Sequence, residues 1–399
     1  MDIVFVGTLE PFPGGTGVIN SLVVRGLAAR GHRIRAVAPV VRDETESLDD
    51  ARDFPGVDIA RYLLPESVIE PRKMTDALVA AEMNGITGGL RSLGGDPPHV
   101  VFVGRESFMR YVPDALPWPV DVPIVLTAHS ITANGTLDRD VPQSDASREM
   151  RNRLATCRTI VLVGKSQRPN FASLGVPLVD IPNGVDLDKF APGDEGGGTR
   201  SATHQEAVTV VHVSNLKEAK RPLDLVEAAR IVVEKGADVR FRVCGDGPLR
   251  GEMEAAVRRA GLGSHFAFAG WVDRNGLPAE YRAADVAVLM SAREVMPCAA
   301  LEAAASGCVL VGSAIPWTDE LIEEGQTGFT YPVGDTAALA AILLRLAGDP
   351  DLRTRVGEAA RRSVVSRDSR VAITRYEQVL LAAATPRPTA GGHQMVAIP

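Results

Sequence analysis

The sequence predicts two doubly wound α/β domains in tandem. Three observations predict them. Short apolar, β-branched runs alternate with longer helical patterns, those runs are apolar throughout rather than at every second position, and a Gly-rich polar break divides the chain near its middle. Strands covered on both faces by helices read as continuous apolar runs, and strand–helix alternation gives right-handed βαβ units around a parallel sheet. A chain of 399 residues is too long for one ordinary core and suits two domains of about 190 residues each.

In order, the strands expected are Ile3–Val6, Ile34–Ala38, Val100–Val103, Ile124–Thr127 and Thr159–Val163 in the first half. The second half supplies Thr209–Val213, Val239–Cys244, Phe268–Val272 as a short edge strand, Val286–Leu289 and Val309–Val311. The break falls at Ala191-Pro192-Gly193-Asp194-Glu195-Gly196-Gly197-Gly198 and places a linker at about residues 187–207. The first domain is therefore 1–190 and the second 208–366. A helix over 369–383 precedes a tail, 385–399, rich in Pro, Gly and small residues and expected to be disordered.

Composition sets aside several classes. The chain is 45% apolar and 23% charged, an ordinary globular balance, and its net charge of -7 argues against a nucleic-acid partner. Cys157, Cys244, Cys298 and Cys308 form no CxxC pair and read as reduced thiols of a cytoplasmic protein. The chain opens on a strand, with no basic leader and no long apolar span, so neither a signal peptide nor a transmembrane helix is expected. No His/Asp/Cys cluster suggests a metal, and no resident cofactor is expected.

The richest segment is Arg293 to Glu302. Two carboxylates, Glu294 and Glu302, flank Pro297 and an alanine-rich run that ends at Ser306-Gly307. This predicts strand, loop with one acid, helix with the second. Pro297 at the first helical position would leave free amides at Cys298 and Ala299, while Glu302 could accept two hydroxyls in bidentate fashion. The pattern suits a ligand with a polyhydroxyl group at each end and a diphosphate between, as in a nucleotide sugar. Alternatively, Glu302 is a buried paired acid and Glu294 a surface residue.

Other segments point the same way. Gly14-Gly15 opens the first helix and lets backbone N–H groups approach an anion, although Gly15-x-Gly17-x-x-Asn20 breaks the dinucleotide fingerprint. His129 lies at the carboxyl end of a strand, where open α/β sheets place ligands. Asn215 follows another strand, and Lys220 and Arg221 sit beside a helix N-terminus, a poor place for cations unless an anion is present. Gly245 ends a further strand, where glycine eases the turn. Trp271 reads equally as a base platform or an interface residue. Glu320 reads as support for Lys220 or as a helix cap.

Together these segments resemble the retaining glycosyltransferases of family 4, from about Met1 to Asp335. The motifs are Pro13-Gly14-Gly15 with Leu27-Ala28-Ala29-Arg30-Gly31-His32, Thr127-x-His129, Ile181-Pro182-Asn183-Gly184-Val185-Asp186 with Phe190, Val213 to Lys220, Gly245-Asp246-Gly247-Pro248, Phe268-x-Gly270-x-Val272, Glu294-x7-Glu302-Ala303, Gly307 and Glu320. The resemblance implies the GT-B fold, two Rossmann-like domains facing across a cleft, with the acceptor on the first and the donor mainly on the second. The final helix would cross back onto the first domain. It implies that Glu302 holds the ribose and Glu294 the transferred sugar. Lys220 and the amides after Pro297 would neutralise the diphosphate, Gly15 would let the N-terminal loop reach it, His129 would contact the sugar near C6, and Trp271 and Val272 would bracket the base.

Two positions depart from the family pattern. Asn215 stands where the family usually has Arg, a change shared by a Ser-Asn-x4-Lys-Arg subgroup that includes enzymes attaching N-acetylglucosamine to malate in thiol biosynthesis; Arg221 is the expected compensation. Met296-Pro297 replaces the common Phe-Gly and alters the fine donor contacts. The activity implied is transfer from a nucleoside-diphosphate sugar to a small soluble acceptor, in bacterial secondary metabolism or thiol biosynthesis. A nucleotide-sugar epimerase or hydrolase and a catalytically silent binding subunit are the alternatives. The partners expected are donor and acceptor alone, without a membrane, and a homodimer is left open.

Overall fold

In the computed structural model of the protein, the described residues are 1–12, 14–41, 50–64, 76–118, 122–130, 137, 144–193 and 207–386. Pro13, the Gly-rich centre of the linker (194–206), residues 42–49, 65–75, 119–121, 131–136 and 138–143, and nearly all of the tail lie outside them.

The first half runs β1 (Asp2–Val6), α1 (Gly15–Ala29), β2 (Arg33–Val41), α2 (Asp50–Asp53), β3 (Val57–Leu64), α3 (Asp76–Leu93), β4 (Val100–Val103), α4 (Val112–Ala115), β5 (Ile124–Ala128), α5 (Asp145–Ala155), β6 (Thr159–Leu162), α6 (Arg168–Phe171) and β7 (Leu178–Asp180). The second runs β8 (Val208–Val213), α7 (Leu223–Glu234), β9 (Val239–Cys244), α8 (Arg250–Arg259), β10 (Phe266–Gly270), α9 (Leu277–Arg282), β11 (Val286–Leu289), α10 (Cys298–Ala305), β12 (Val309–Ser313), α11 (Thr318–Leu321) and β13 (Gly328–Tyr331), then α12 (Thr336–Gly348), α13 (Pro350–Ser363) and α14 (Ser369–Ala384).

These elements form two compact units. The first comprises Met1–Leu162, Pro169–Ile181 and Ile373–Pro399, and the second Val163–Arg168 and Pro182–Ala372. The partition is therefore not a single cut along the sequence.

In the first unit seven strands pair in the order β3-β2-β1-β4-β5-β6-β7, all parallel. The order reverses between β1 and β4. Asn20, where a dinucleotide fingerprint would have its third glycine, donates from Nδ2 to the carbonyls of Thr8 (3.0 Å) and Gly104 (3.1 Å), tying α1 to the loops on both sides of that reversal. The end of α14 belongs to this unit. Tyr376 accepts a hydrogen bond from Thr127 and packs 5.7 Å from Phe102, and Glu377 accepts from Arg30 and bonds His32. Ile373 lies so close to Gly26 that a Cβ there would stand 2.5 Å from it.

In the second unit six parallel strands pair in the order β10-β9-β8-β11-β12-β13. Alternate residues serve opposite faces, as the period of two requires. Val286 and Val288 of β11 enter one apolar cluster, and Ala287 and Leu289 the other. Clusters on both faces explain why this strand is apolar throughout. The order reverses between β8 and β11, and ligands of open α/β sheets bind beyond the strand ends at such a reversal.

The strands absent from the expectations are β3, β7 and β13, all at or ending a sheet edge. β3 is mostly half-exposed and carries Asp58 and Arg61, so its apolar run is interrupted. The edge strand expected over Phe268–Val272 is instead Phe266–Gly270, because Gly270 turns left-handed at φ 69° and ends it.

Candidate active site

The second unit gathers its polar groups where its sheet reverses. Beyond β8 the chain passes Ser214 and Asn215 into a 3-10 turn, Glu218–Lys220. Beyond β11 it passes Ser291 to Glu294 and enters α10. The two loops are sewn together by the Ala292 amide, which donates to the Ala219 carbonyl at 2.8 Å. Across them Lys220 Nζ is ion-paired with Glu294 Oε1, which also accepts from the Ser291 hydroxyl at 3.1 Å. Ser291 is fixed from beneath by Ser313, whose hydroxyl donates to its carbonyl at 2.6 Å.

A buried histidine braces the same reversal. His212 on β8 directs Nδ1 to the Val288 carbonyl on β11 at 2.9 Å, and Nε2 meets the Ser214 hydroxyl at 2.8 Å. A carbonyl only accepts, so Nδ1 carries the hydrogen and Nε2 receives it from Ser214. Burial, with the Lys220 charge assisting against the Val288 bond, lowers the ring to a pKa of about 4 and keeps it neutral.

Pro297 caps α10 rather than entering it. Its ψ of 127° is extended, the helix begins at Cys298, and the Pro297 carbonyl takes the amides of Ala300 (3.2 Å) and Leu301 (3.5 Å). Cys298 and Ala299 thus occupy the first turn, where amides have no intrahelical acceptor. Asn183 holds this cap from behind, donating to the buried Met296 carbonyl at 2.8 Å. The role of Asn183 was not legible, because nothing in Ile181-Pro182-Asn183-Gly184 announces a partner more than a hundred residues away. Cys298 is pushed up to about 12 by burial and by the neighbouring Glu302 carboxylate, and so stays a thiol.

Glu302 is 5% exposed. Its oxygens accept from Arg274 at 3.1 Å and from the Tyr281 hydroxyl at 3.3 Å, so Glu302 is a buried, paired acid. Arg221 is paired with an acid of the helix it precedes. Its guanidinium forms a fork with Asp224 in the first turn of α7, at 2.7 and 3.1 Å. The anion that a cation needs at this helix start is supplied by the chain itself. Asn215 Oδ1 is buried without a partner. Glu320 accepts the Lys165 amide at 2.8 Å and so caps the short turn Lys165–Gln167.

Gly245 is required by packing. Its φ is 141°, and a Cβ there would stand 1.8 Å from the Ser214 carbonyl oxygen. The loops after β8, β9 and β10 lie against one another, with Ser214 donating to Cys244 and Gly245 to Gly270. Trp271 follows this ladder, 59% exposed, with the half-buried Val272 beside it.

In the first unit Gly14, at φ 113°, and Gly15 lie exposed at the start of α1, which has no acid in its first turn. His129 follows β5 directly. Its amide donates to Glu106 Oε2 at 2.9 Å, and its Nε2 is buried without a partner. Burial lowers this ring to about 4, with Arg105 reinforcing the shift and Glu106 opposing it. Arg105 and Glu106 were missed by sequence reasoning, yet they follow β4 as His129 follows β5, and the same strand-end rule would have found them. Among the described residues no group of three or more His, Cys, Asp or Glu could hold a metal, and no helix is long and apolar enough to cross a membrane.

Comparison with known proteins assigns both halves. Residues 13–189 match the family described as Glycosyltransferase Family 4, and residues 200–363 that described as Glycosyl transferases group 1. The chain is 28% identical over 60% of its length to a D-inositol 3-phosphate glycosyltransferase of Kribbella flavida, covering 61% of that protein. It is 32% identical over 43% of its length to an N-acetyl-alpha-D-glucosaminyl L-malate synthase of Bacillus anthracis, covering 44% of it. These alignments span about half the length of the curated relatives. Over nearly the whole chain the fold matches Anabaena Alr3699/HepE in complex with UDP and glucose (TM-score 0.74, 16% identity, 96% and 100% of the two chains). It likewise matches sucrose-phosphate synthase from Thermosynechococcus elongatus (TM-score 0.76, 17% identity, 96% and 100%). The protein has the GT-B fold, and its chain carries a glycosyltransferase family 4 domain followed by a glycosyl transferases group 1 domain.

Proposed function

We propose that the protein is a retaining glycosyltransferase moving a hexose-type unit from a nucleoside-diphosphate sugar to a small soluble acceptor. The observation that carries this reading is the meeting of Lys220, Glu294 and the first turn of α10 at the strand reversal of the second unit. In the proposed reaction the bond from the anomeric carbon to the diphosphate breaks, and its electron pair leaves with the nucleoside diphosphate. The acceptor oxygen bonds to the same face of that carbon and gives up its proton. Lys220 and the amides of Cys298 and Ala299 stabilise the charge as it develops on the diphosphate, the usual source of most of the rate.

Glu302 accepts the ribose hydroxyls. A carboxylate offers about four lone-pair sites, so it can do this while keeping Arg274. Glu294 takes hydroxyls of the transferred sugar as Lys220 turns to the phosphates. Trp271 and Val272 bracket the base, Gly14 and Gly15 present amides suited to an anion, and His129 serves the sugar end. No resident cofactor and no covalent sugar intermediate form part of the proposal, and the setting is bacterial secondary metabolism or thiol biosynthesis.

The test is to incubate the chain with UDP, GDP, ADP and dTDP sugars, with and without polyhydroxy acceptors, and to follow nucleoside diphosphate release and the anomeric configuration of the product. Acceptor-dependent release with retention is expected. Consumption of donor alone would favour an epimerase or hydrolase, and full activity in both Glu294→Gln and Lys220→Ala would sink the assignment.

A further inference from the structure

The carboxyl ends of β4 and β5 in the first unit carry polar atoms that the fold does not use. Arg105 precedes the 3-10 turn Glu106–Arg110, on extended backbone. Its carbonyl accepts the Phe108 amide at 3.2 Å, but its partly buried guanidinium has no hydrogen bond or ion pair among the described residues. Glu106, 2% exposed, spends Oε2 on the His129 amide and leaves Oε1 unpartnered. His129 Nε2 is likewise buried and unpartnered. Asn20 holds the Gly104 carbonyl just before them, which fixes the group at the point where this sheet reverses its order.

Two other arginines, of similar or greater burial, are treated differently. Arg35 is given Asp2, and Arg274 is given Glu302. A guanidinium has five donors in a planar fork that matches a carboxylate or phosphate, and leaving it unmatched inside a protein is unfavourable. The acids nearest Arg105 do not fill it. Glu106 is turned to a backbone amide, and Glu82 on α3 feels the Arg105 charge without pairing to it.

We propose that Arg105 binds an anionic group, phosphate or carboxylate, on the acceptor, while Glu106 Oε1 bonds a hydroxyl of the same molecule. The proposal rests on the reading of this unit as the acceptor half of a glycosyltransferase. It names the acceptor class as a small polyhydroxy compound carrying an anion.

The test uses the full chain at saturating nucleoside diphosphate, so that the anion site of the second unit is filled. Glucose 6-phosphate, gluconate and uncharged glucose are titrated at constant ionic strength by calorimetry, into wild type, Arg105→Gln and Glu106→Gln. One anionic probe is expected to bind wild type at least about tenfold more tightly than glucose. The two anionic arms separate phosphate from carboxylate. Arg105→Gln is expected to abolish that preference with melting temperature and nucleoside diphosphate affinity unchanged, and Glu106→Gln to weaken all three probes. Equal binding of the anions to wild type and Arg105→Gln overturns the proposal, as does absence of anion binding in a chain that binds nucleoside diphosphate. A chain that binds no nucleoside diphosphate yet loses the anion in Arg105→Gln keeps the site and overturns the glycosyltransferase reading.

Discussion

Lys220 and Glu294 neutralise one another across the two loops that flank the strand reversal of the second sheet. The cation proposed for the diphosphate and the acid proposed for the sugar are each other's partner. Donor binding must therefore exchange one ion pair for two sets of ligand contacts.

Replacing Glu294 with Gln keeps the shape and removes the charge. Lys220 is then released from its pair before donor arrives. Binding of the nucleoside diphosphate alone should tighten several-fold, about 1 kcal/mol for a partly exposed pair, while sugar transfer falls at least about 100-fold. Calorimetry and initial rates measure the two effects. An unchanged diphosphate affinity would show that Lys220 does not serve the phosphates.

Arg274→Ala removes the guanidinium that pairs with the buried Glu302 carboxylate and leaves the Tyr281 hydroxyl bond in place. Removing one partner of a buried pair should destabilise the second unit by about 3 kcal/mol, whereas Tyr281→Phe should cost about 1 kcal/mol. Urea unfolding followed in both variants checks the ranking. Equal losses would mean that Arg274 is not the main support of Glu302.

His212 predicts how stability depends on pH. Its pKa is about 4 in the folded protein and about 6.5 in an unfolded chain, so the folded state resists protonation. Below pH about 6.5 the unfolded chain takes up the proton and the folded chain does not. Stability therefore falls between pH about 6.5 and about 4, by about 3 kcal/mol from this residue. His129 acts in the same direction. His212→Asn keeps a donor for Val288 and should flatten part of the slope in unfolding measured across that range, leaving the His129 share.

Gly245→Ala should be among the most damaging single-methyl changes in the chain. The new Cβ meets the Ser214 carbonyl oxygen at 1.8 Å, and the φ of 141° is already unfavourable for a side chain. A loss of more than about 3 kcal/mol, seen as early melting or proteolysis of the second unit, is expected. Trp271→Ala, at an exposed position, should leave melting within experimental error while weakening nucleoside diphosphate binding.

How much of this was legible follows from what each residue type can announce. The central strands of both sheets announce themselves because both faces are covered, as the two clusters on either side of Val286–Leu289 show. β3 and β7, half-solvated at an edge, do not. Lys220, Glu294 and Glu302 stand out because charge beside a strand end or helix start demands an explanation. Arg221 stands out for the same reason, and the chain itself answers this helix-start cation with an acid three residues on, Asp224. Asn183 and Glu106 could not be foreseen by pairing, since each acts on a backbone group far along the chain.

The last turns of α14 also bear on the order in which the protein is made. Tyr376 and Glu377 supply contacts to Phe102, Thr127, Arg30 and His32, all synthesised several hundred residues earlier. During translation that surface of the first unit stays uncovered until α14 has emerged. A product truncated after the second sheet would carry two sheets but an unfinished first unit.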